Sequence, residues 1–545
     1  MPPFENIVGP ENPRGNVEYK LKLIHPNDDR LVELATQLNY RLNEGDGEAF
    51  YELGVSDEGE PVGLPDWELT NSLHVLEQIA EHVGAKMSLI RTGKAKHGKL
   101  AEVLLRRLKE EGFPIDITIV SIGNVDSGKS TLIGVLLGGE LDNGNGSART
   151  RVFRHKHELL SGRTSSVAVR TLGFDEMGAL VNHSLIPPSH AEILERSAKI
   201  ISIVDLAGHE RYLKTTVFGL TGHEPDYAML AVAANAGVQP MTREHLGIAF
   251  ALKLPIFVVL TKVDIAPNSI FQTTKHEVVR VIKMPGVARI PFFVKDTDDV
   301  AVSAKNIGRT TRIVPIFKVS NVTGKGIDLL TQFLNLIPAY KRWESQVDHP
   351  FLAYIDELFL VPGIGTVVAA TINQGVYSLG SPLKLGPDVN GDFYDVKVKS
   401  MHYKRVFVNT VTAGQEATFA LRGVDRDEVR KGMVLLDPNY TMTVTREFVA
   451  DTMVLYHATT IRQGYEAMVH CRTIRQQAKI TRILKADHPA LRTGDRARVI
   501  FRFLFQPEFL LEGDRFVFRE GRTRGIGVIR SILSTSHEAM ADEIA

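Results

Sequence analysis

The spacing of apolar residues changes character along the chain, and each change marks a different kind of folding unit. Residues 19–24 alternate apolar and polar as a half-buried strand does. Leu31, Leu34, Ala35, Leu38 and Leu42 then recur at the spacing of one helix face. Residues 50–64 read as a hairpin turning at Asp57-Glu58-Gly59. Leu69, Leu73, Leu76, Ile79, Ala80 and Val83 form a second helical stripe, and 86–91 reads as a strand. The prediction is a small α+β N-terminal module over 16–110. A Pro-, Gly- and Asn-rich disordered segment precedes it at 1–15, and the basic polar run 92–99 links it to the next unit.

From 115 to 345 the pattern becomes continuous apolar runs separated by helical stretches. Ile117-Thr118-Ile119-Val120, Ile201-Ser202-Ile203-Val204, 228–233 and 256–260 have the character of buried parallel strands in an α/β domain. Beyond 349 short strands are punctuated by glycine and no long helix is predicted. Two β-barrels, 349–440 and 441–535, and a tail at 536–545 account for this part.

Composition narrows the class. With 43% hydrophobic and 23% charged residues, the chain has an ordinary globular balance. No apolar run approaches the roughly 18 residues of a membrane span, and the N-terminus lacks a basic region before an apolar core. A cytoplasmic, monomeric protein without membrane association is expected. Its one cysteine, Cys471, excludes an internal disulfide framework and is read as buried or incidental. Net charge is zero but segregated: residues 1–115 carry 13 Lys/Arg against 20 Asp/Glu, and residues 462–530 carry 15 against 7. The basic stretch is either a phosphate-facing surface or a solvated face with its charges partly paired.

Four short motifs, each after a predicted strand, carry the chemistry. Gly123-Asn124-Val125-Asp126-Ser127-Gly128-Lys129-Ser130 has the P-loop spacing between strand and helix. Its glycines let backbone N–H groups point at phosphate oxygens. Lys129 is placed to neutralise β/γ-phosphate charge and Ser130 to ligate Mg²⁺. Asn124, Val125, Asp126, Ser127, Gly128, Lys129, Ser130 and Thr131 are the phosphate-binding candidates. Asp205-Leu206-Ala207-Gly208-His209 follows the next strand. There Asp205 reaches Mg²⁺, the Gly208 N–H contacts the γ-phosphate, and His209 approaches the attacking water. In Thr261-Lys262-Val263-Asp264, the Asp264 carboxylate matches the N1/N2 donor pair of guanine, which adenine lacks, and the Lys262 stem stacks on the base. Ser320-Asn321-Val322-Thr323-Gly324 offers a backbone donor to guanine O6. The competing reading, a P-loop ATPase, leaves Lys262 and Asp264 coincidental.

The order of these motifs, followed by two barrels, resembles elongation factor Tu and its relatives over about 115–535. Ile355-Asp356-Glu357-Leu358-Phe359 is similar to the start of that superfamily's second domain, and Arg519-Glu520-Gly521-Arg522-Thr523 to the end of its third. Glu140-Leu141-Asp142-Asn143-Gly144, Ser161-Gly162-Arg163-Thr164-Ser165-Ser166, Phe218-Gly219-Leu220-Thr221 and His457-Ala458-Thr459-Thr460 resemble the GTP-binding protein 1/2 branch, as does the N-terminal module.

The resemblance implies a partner-stimulated GTPase with GTP/GDP and Mg²⁺ as ligands. It implies a switch I loop over 141–172 in which Thr164 meets Mg²⁺ and γ-phosphate, and a monovalent cation near Asp126. His209, Thr164 and Asp126 are then the catalytic candidates, and Ser130, Thr164 and Asp205 the metal candidates. It also implies the ribosome and aminoacyl-tRNA as partners in elongation or rescue, with Asp356, Glu357 and Phe359 near the aminoacyl end. Arg472, Arg475, Arg496, Arg519 and Arg522 would face the tRNA backbone. The alternative is a GTP-gated RNA- or protein-binding adaptor that recruits mRNA decay factors, with the acidic module as its partner surface. Three departures stand out. Thr261 replaces the usual asparagine, so a bond linking the base to the P-loop is expected to differ. Ala207 replaces a proline, and Arg163 replaces an apolar gate residue.

Overall fold

A computed structural model describes residues 11–108, 114–153, 158, 164, 167–183, 187–284, 288–310, 312–441, 443–484, 490–521 and 523–533. The tail 536–545, most of the N-terminal segment 1–15, and Ser161, Gly162, Arg163, Ser165, Ser166 and Arg522 lie outside the described residues. The chain packs as two compact units. One comprises 1–205, 226–243 and 255–342, the other 206–225, 244–254 and 343–545.

In the first unit the N-terminal module is built from β1 (Val17–Lys20), α1 (Asp28–Glu44), β2 (Glu48–Leu53), α2 (Asp66–His82), β3 (Ala85–Ala95) and β4 (Gly98–Arg107). Asn27 starts α1 by accepting the Arg30 N–H at 2.9 Å. The sheet runs β1-β2-β4-β3, parallel between β1 and β2 and antiparallel elsewhere. Two expectations are corrected. The 92–99 link is the tip of the β3–β4 hairpin, because Leu100, Ala101, Val103, Leu104 and Leu105 just beyond it are buried and need a sheet to lie in. The 50–64 hairpin reduces to one strand and a turn closed by a single bridge, Val55 to Pro61.

Alternation within β2 and β4 decides how the module is held. Ala49, Tyr51 and Leu53, with Ala101, Val103 and Leu105, pack under the two helices. Phe50 and Leu104 point the other way and join the core of the α/β domain. Residues of the same parity as Phe50 and Leu104 are Glu48, Glu52, Glu102 and Arg106, all buried. Each finds an opposite charge. Lys199 donates to Glu48 Oε2 at 2.9 Å, and Arg106 Nε donates to Glu48 Oε1 at 2.8 Å. Lys305 pairs with Glu52 and with Glu102, and Arg91 bridges Glu102 and Asp298. Lys199 and Arg106 also donate to the carbonyls of Ile337 and Asp175, at 2.6 and 2.8 Å. Burial by itself raises the Glu48 carboxyl, but Lys199 and Arg106 overcome it and hold the group below its usual range.

The α/β domain has a seven-stranded sheet of order β10-β11-β9-β8-β5-β7-β6. Its strands are β5 (Ile115–Gly123), β6 (Ala168–Phe174), β7 (Lys199–Asp205), β8 (Tyr227–Ala233), β9 (Ile256–Thr261), β10 (Ile290–Phe293) and β11 (Ile313–Lys318). All neighbours are parallel except β6 and β7. The register sets Ser121 beside Asp205, Gly123 beside Ala231, Ala233 beside Thr261, and Leu260 beside Lys318. Five strands therefore end along one carboxyl edge, four of them leading into the motifs, where ligands bind in open α/β sheets.

The second unit contains two closed six-stranded barrels. In the first, Leu383–Gly386, Val434–Leu436, Leu352–Val361, Gly365–Gln374, Glu416–Arg422 and Tyr394–Tyr403 pair in that order, and the last strand returns to the first. The second closes through Glu447–Tyr456, Arg496–Phe503, Ile474–Leu484, Glu466–Cys471, Arg515–Glu520 and Thr523–Leu533. Cys471 is buried in its core as a free thiol. Among the described residues no helix is long and apolar enough to cross a membrane.

Replacing Glu48 by Ala leaves Lys199 and Arg106 buried without their shared carboxylate, which should destabilise the chain by about 3–5 kcal/mol. Urea unfolding would measure this. Replacing Glu48 and Lys199 together by Met should restore part of the loss, because Lys199 is then no longer a buried charge and only Arg106, still bonded to the Asp175 carbonyl and to Asn335, lacks a carboxylate.

Candidate active site

The site is built on the carboxyl edge of the sheet. At the end of β5 the backbone must turn sharply into helix α3 (Lys129–Gly138). Gly123 and Gly128 take φ of +140° and +79°, and Asp126 sits at +58°. Glycine is required at Gly123, where a Cβ would run into the Ala231 carbonyl. A Cβ on Gly128 would stand 3.4 Å from Thr261 Oγ1 and 3.6 Å from Asn321 Nδ2, so three of the four motifs converge on this turn.

The Lys129 ammonium is held inside the loop it follows. It donates to the Asn124 and Gly123 carbonyls at 2.8 and 3.1 Å. Burial pushes its pKa down to about 8, against the pull of Asp205 and Asp126. An anion entering the cradle would supply the negative charge this lysine lacks.

Asp205 ends β7 wholly buried, and its two oxygens have different neighbours. Oδ1 accepts from Ser121 at 2.8 Å. Oδ2 accepts from Ser130 at 2.6 Å and from Thr164 at 3.2 Å, and the two hydroxyls are 2.8 Å apart. Burial raises the Asp205 carboxyl, and the hydroxyl bonds together with Lys129 oppose the rise. Two hydroxyls and a carboxylate within hydrogen-bond distance are an all-oxygen donor set suited to a hard divalent cation such as Mg²⁺.

Thr261 answers the question its replacement of asparagine raised. Its hydroxyl donates to the Ser127 carbonyl at 2.7 Å, so the strand still grips the P-loop through a shorter side chain. Lys262 takes φ +58°, and Asp264 is exposed two residues on. The Ser320 hydroxyl accepts the N–H groups of Thr323 and Val322 at 3.0 and 3.3 Å, which tightens the fourth loop. Asn321 Oδ1 is buried with no hydrogen-bond partner among the described residues, an atom that a bound base could satisfy.

His209 is exposed in the segment that begins the second unit. Its Nδ1 accepts the Arg211 N–H at 3.1 Å, and its ring stands edge-on to Tyr212 at 6.2 Å. Ala207, in place of proline, is pinned by the Thr216 hydroxyl on its carbonyl at 2.8 Å, which tightens a turn that proline would have restrained.

Three residues have roles at the site that the sequence motifs do not assign. Ser121 orients Asp205 from inside β5, where a small polar residue carries no motif. Asp142 anchors the turn 142–148. Its N–H donates to the Asn321 carbonyl at 2.8 Å, and its carboxylate accepts the Gly144, Gly146 and Ala148 N–H groups at 2.9–3.0 Å. Leu141 lies against Gly324. The turn-forming run Asp142-Asn143-Gly144-Asn145-Gly146 was the available signal.

The candidates for the tRNA end behave unevenly. Asp356 is completely buried at a bulge, Glu357 is half-buried and Phe359 exposed. Arg472 does not present a free charge to phosphate, because it pairs with Glu224 and Asp514 and lies 4.8 Å over the Tyr354 ring. Arg519 is half-buried, and its guanidinium is depressed by burial. Arg475 and Arg496 are exposed. Elsewhere in the basic stretch Arg498 and Arg530 pair with Asp451, Arg502 with Glu447, and Arg524 with Glu244. Those acids all lie outside 462–530, which is why the local charge count overstated the positive field.

The chain matches the family model described as "Elongation factor Tu GTP binding domain" over residues 116–339, and "Elongation factor Tu domain 2" over 365–436. It is 45% identical to GTP-binding protein 1 of Xenopus laevis over 96% of this chain and 79% of that protein. With GTP-binding protein 2 of Mus musculus it shares 43% identity over 99% and 90%. Elongation factor 1-alpha of Archaeoglobus fulgidus is 30% identical over 70% of this chain and 88% of its own. In fold it is similar to the crystal structure of translation elongation factor SelB from Methanococcus maripaludis bound to a GTP analogue. The TM-score is 0.55 at 20% identity, covering 78% of this chain and 81% of that one.

Thr261→Val should strand the buried Ser127 carbonyl and weaken nucleotide binding by roughly 1–3 kcal/mol. Titration with a fluorescent guanine nucleotide measures it. An unchanged affinity would mean that the loop holds its shape without this bond.

Proposed function

Because the chain belongs to the GTP-binding protein 1/2 branch of the translational GTPase superfamily, we propose that its GTP state binds tRNA, with preference for the aminoacylated form, and acts at the ribosome in elongation or rescue. The protein is a GTPase, converting GTP and water to GDP and phosphate, and a GTP-dependent translation factor.

The observation that carries the switch reading is the meeting of Ser130 and Thr164 on one oxygen of Asp205. Ser130 belongs to the P-loop, Asp205 to the strand end before His209, and Thr164 to the switch I stretch. In this proposal the three would hold Mg²⁺, which would supply positive charge to the nucleotide phosphates. The meeting of Thr164 with Ser130 and Asp205 would be strengthened by that ion and weakened by its loss. Loss of the γ-phosphate then frees switch I from the P-loop.

The remaining roles are carried by the chain's own groups. P-loop N–H groups from Asn124 to Thr131 cradle the phosphates, and Lys129 neutralises them. Gly208 senses the γ-phosphate, and Asp126 helps hold a monovalent cation beside it. Asp264, Lys262 and the turn Ser320, Asn321 and Val322 read guanine. His209 orients the attacking water once a partner places it, as in slow GTPases that depend on a partner for full rate.

The adaptor reading gains from the second unit. Arg472 is committed to acids and Asp356 is buried, so fewer groups remain for a tRNA end than the resemblance implies. Binding to aminoacylated and deacylated tRNA, each with a non-hydrolysable GTP analogue and with GDP, separates the two. Delivery requires tight binding in only one of the four cases, aminoacyl-tRNA with the analogue. Equal or absent binding in all four would leave the adaptor.

His209→Ala should lower partner-stimulated hydrolysis by about 10²–10⁴-fold while sparing GTP affinity. A fall in affinity instead would make His209 structural. Asp264→Asn should cost about 1.5–3 kcal/mol in GTP binding, read by competition against ATP. Unchanged discrimination would remove Asp264 from base recognition.

A further inference from the structure

We propose that His223, Asp356 and Glu416 form a binding site for a divalent transition-metal ion of the Zn²⁺ type, which ties the helix after His209 to the first barrel. All three residues belong to the second unit. His223 follows helix Leu213–Gly222 directly, Asp356 lies at a bulge in strand Leu352–Val361, and Glu416 opens strand Glu416–Arg422. The proposal stands independently of the tRNA reading.

The three side chains converge from separate elements. One donor atom from each side chain lies within 4.8 Å of the other two. His223 Nδ1 is 3.6 Å from Glu416 Oε2, too far for a hydrogen bond. It is close to the separation of roughly 3.3 Å between ligands bound tetrahedrally at about 2.0–2.1 Å. His223 Nδ1 and Asp356 Oδ1 are buried and have no hydrogen-bond partner among the described residues. The other Asp356 oxygen is held by the Thr371 hydroxyl at 3.3 Å, the kind of support that orients a ligating carboxylate.

Charge points the same way. Two buried or half-buried carboxylates and nearby Glu357 face one imidazole, with Lys431 the neighbouring cation. Asp356 and His223 are both biased toward their protonated forms. Burial and Glu416 push Asp356 up to about 7. Glu416, aided by Asp356 and Glu357, overcomes burial and lifts His223 to about 9. A divalent ion would replace these protons. One imidazole nitrogen with two carboxylates favours Zn²⁺ over Mg²⁺ or Ca²⁺, which take oxygen ligands, and three protein ligands leave a fourth position for water. An Asp356 engaged in this way is a metal ligand and not part of a tRNA rim.

The test uses the full chain loaded with GDP and Mg²⁺, stripped of transition metals and titrated with Zn²⁺ by calorimetry. The proposal predicts one equivalent bound, undisplaced by millimolar Mg²⁺, and an affinity at least tenfold higher at pH 8.5 than at pH 6. Co²⁺ in its place should give the visible bands of a four-coordinate nitrogen and oxygen site. His223→Gln and Glu416→Gln should each weaken Zn²⁺ binding at least 100-fold while circular dichroism stays unchanged. If either variant misfolds, the wild-type Co²⁺ spectrum and stoichiometry decide alone. Absence of stoichiometric Zn²⁺ binding, or its undiminished retention in either folded variant, overturns the site.

Discussion

The carboxylate of Asp205 is the point on which the functional geometry depends. It is fully buried at the end of a central strand, where an ionised carboxyl is costly unless hydrogen bonds and a cation compensate. Ser121 fixes one oxygen from within the neighbouring strand, which leaves the other to face Ser130 and Thr164. The same residue closes this stretch of the first compact unit, and the chain enters the second at Leu206. This carboxylate thus joins the P-loop hydroxyl of Ser130 to that of Thr164 through one oxygen.

Support for that point comes from an unexpected direction. Lys199 begins the strand that Asp205 ends, and it is buried against Glu48 of the N-terminal module. The module is joined to the α/β domain by a shared apolar core and by charges on one parity of two strands. Such buried pairs add little net stability over an apolar contact, but removing one partner is strongly destabilising. The acidic character of the module is accordingly engaged in part at this junction and is not wholly a free surface.

Charge is paired in the same manner within the second unit. Its arginines face acids drawn from distant parts of the sequence, and Arg472 alone engages residues 248 and 42 positions away. The exposed remainder, including Arg475 and Arg496, is sparser than the local excess of basic residues implies. The His223, Asp356 and Glu416 cluster arises likewise, from three segments no motif connects.

The sequence by itself determined the order and type of the units, the P-loop turn, and the four motifs at strand ends. Each of these is local: a glycine that must take positive φ, an apolar run of strand length, or a hydroxyl one residue after a lysine. Even the departure at Thr261 was visible, though not that its hydroxyl would still reach Ser127. The sequence did not determine the β3–β4 hairpin, whose basic tip imitates a linker, nor the role of Ser121, nor the partners of the buried charges. Those were decided by the tertiary structure, because a side chain's charge has meaning only against the groups that folding sets beside it. Parity within a strand could have hinted that Glu48, Glu52 and Glu102 turn inward. Only packing supplied the lysines and arginines that compensate their burial.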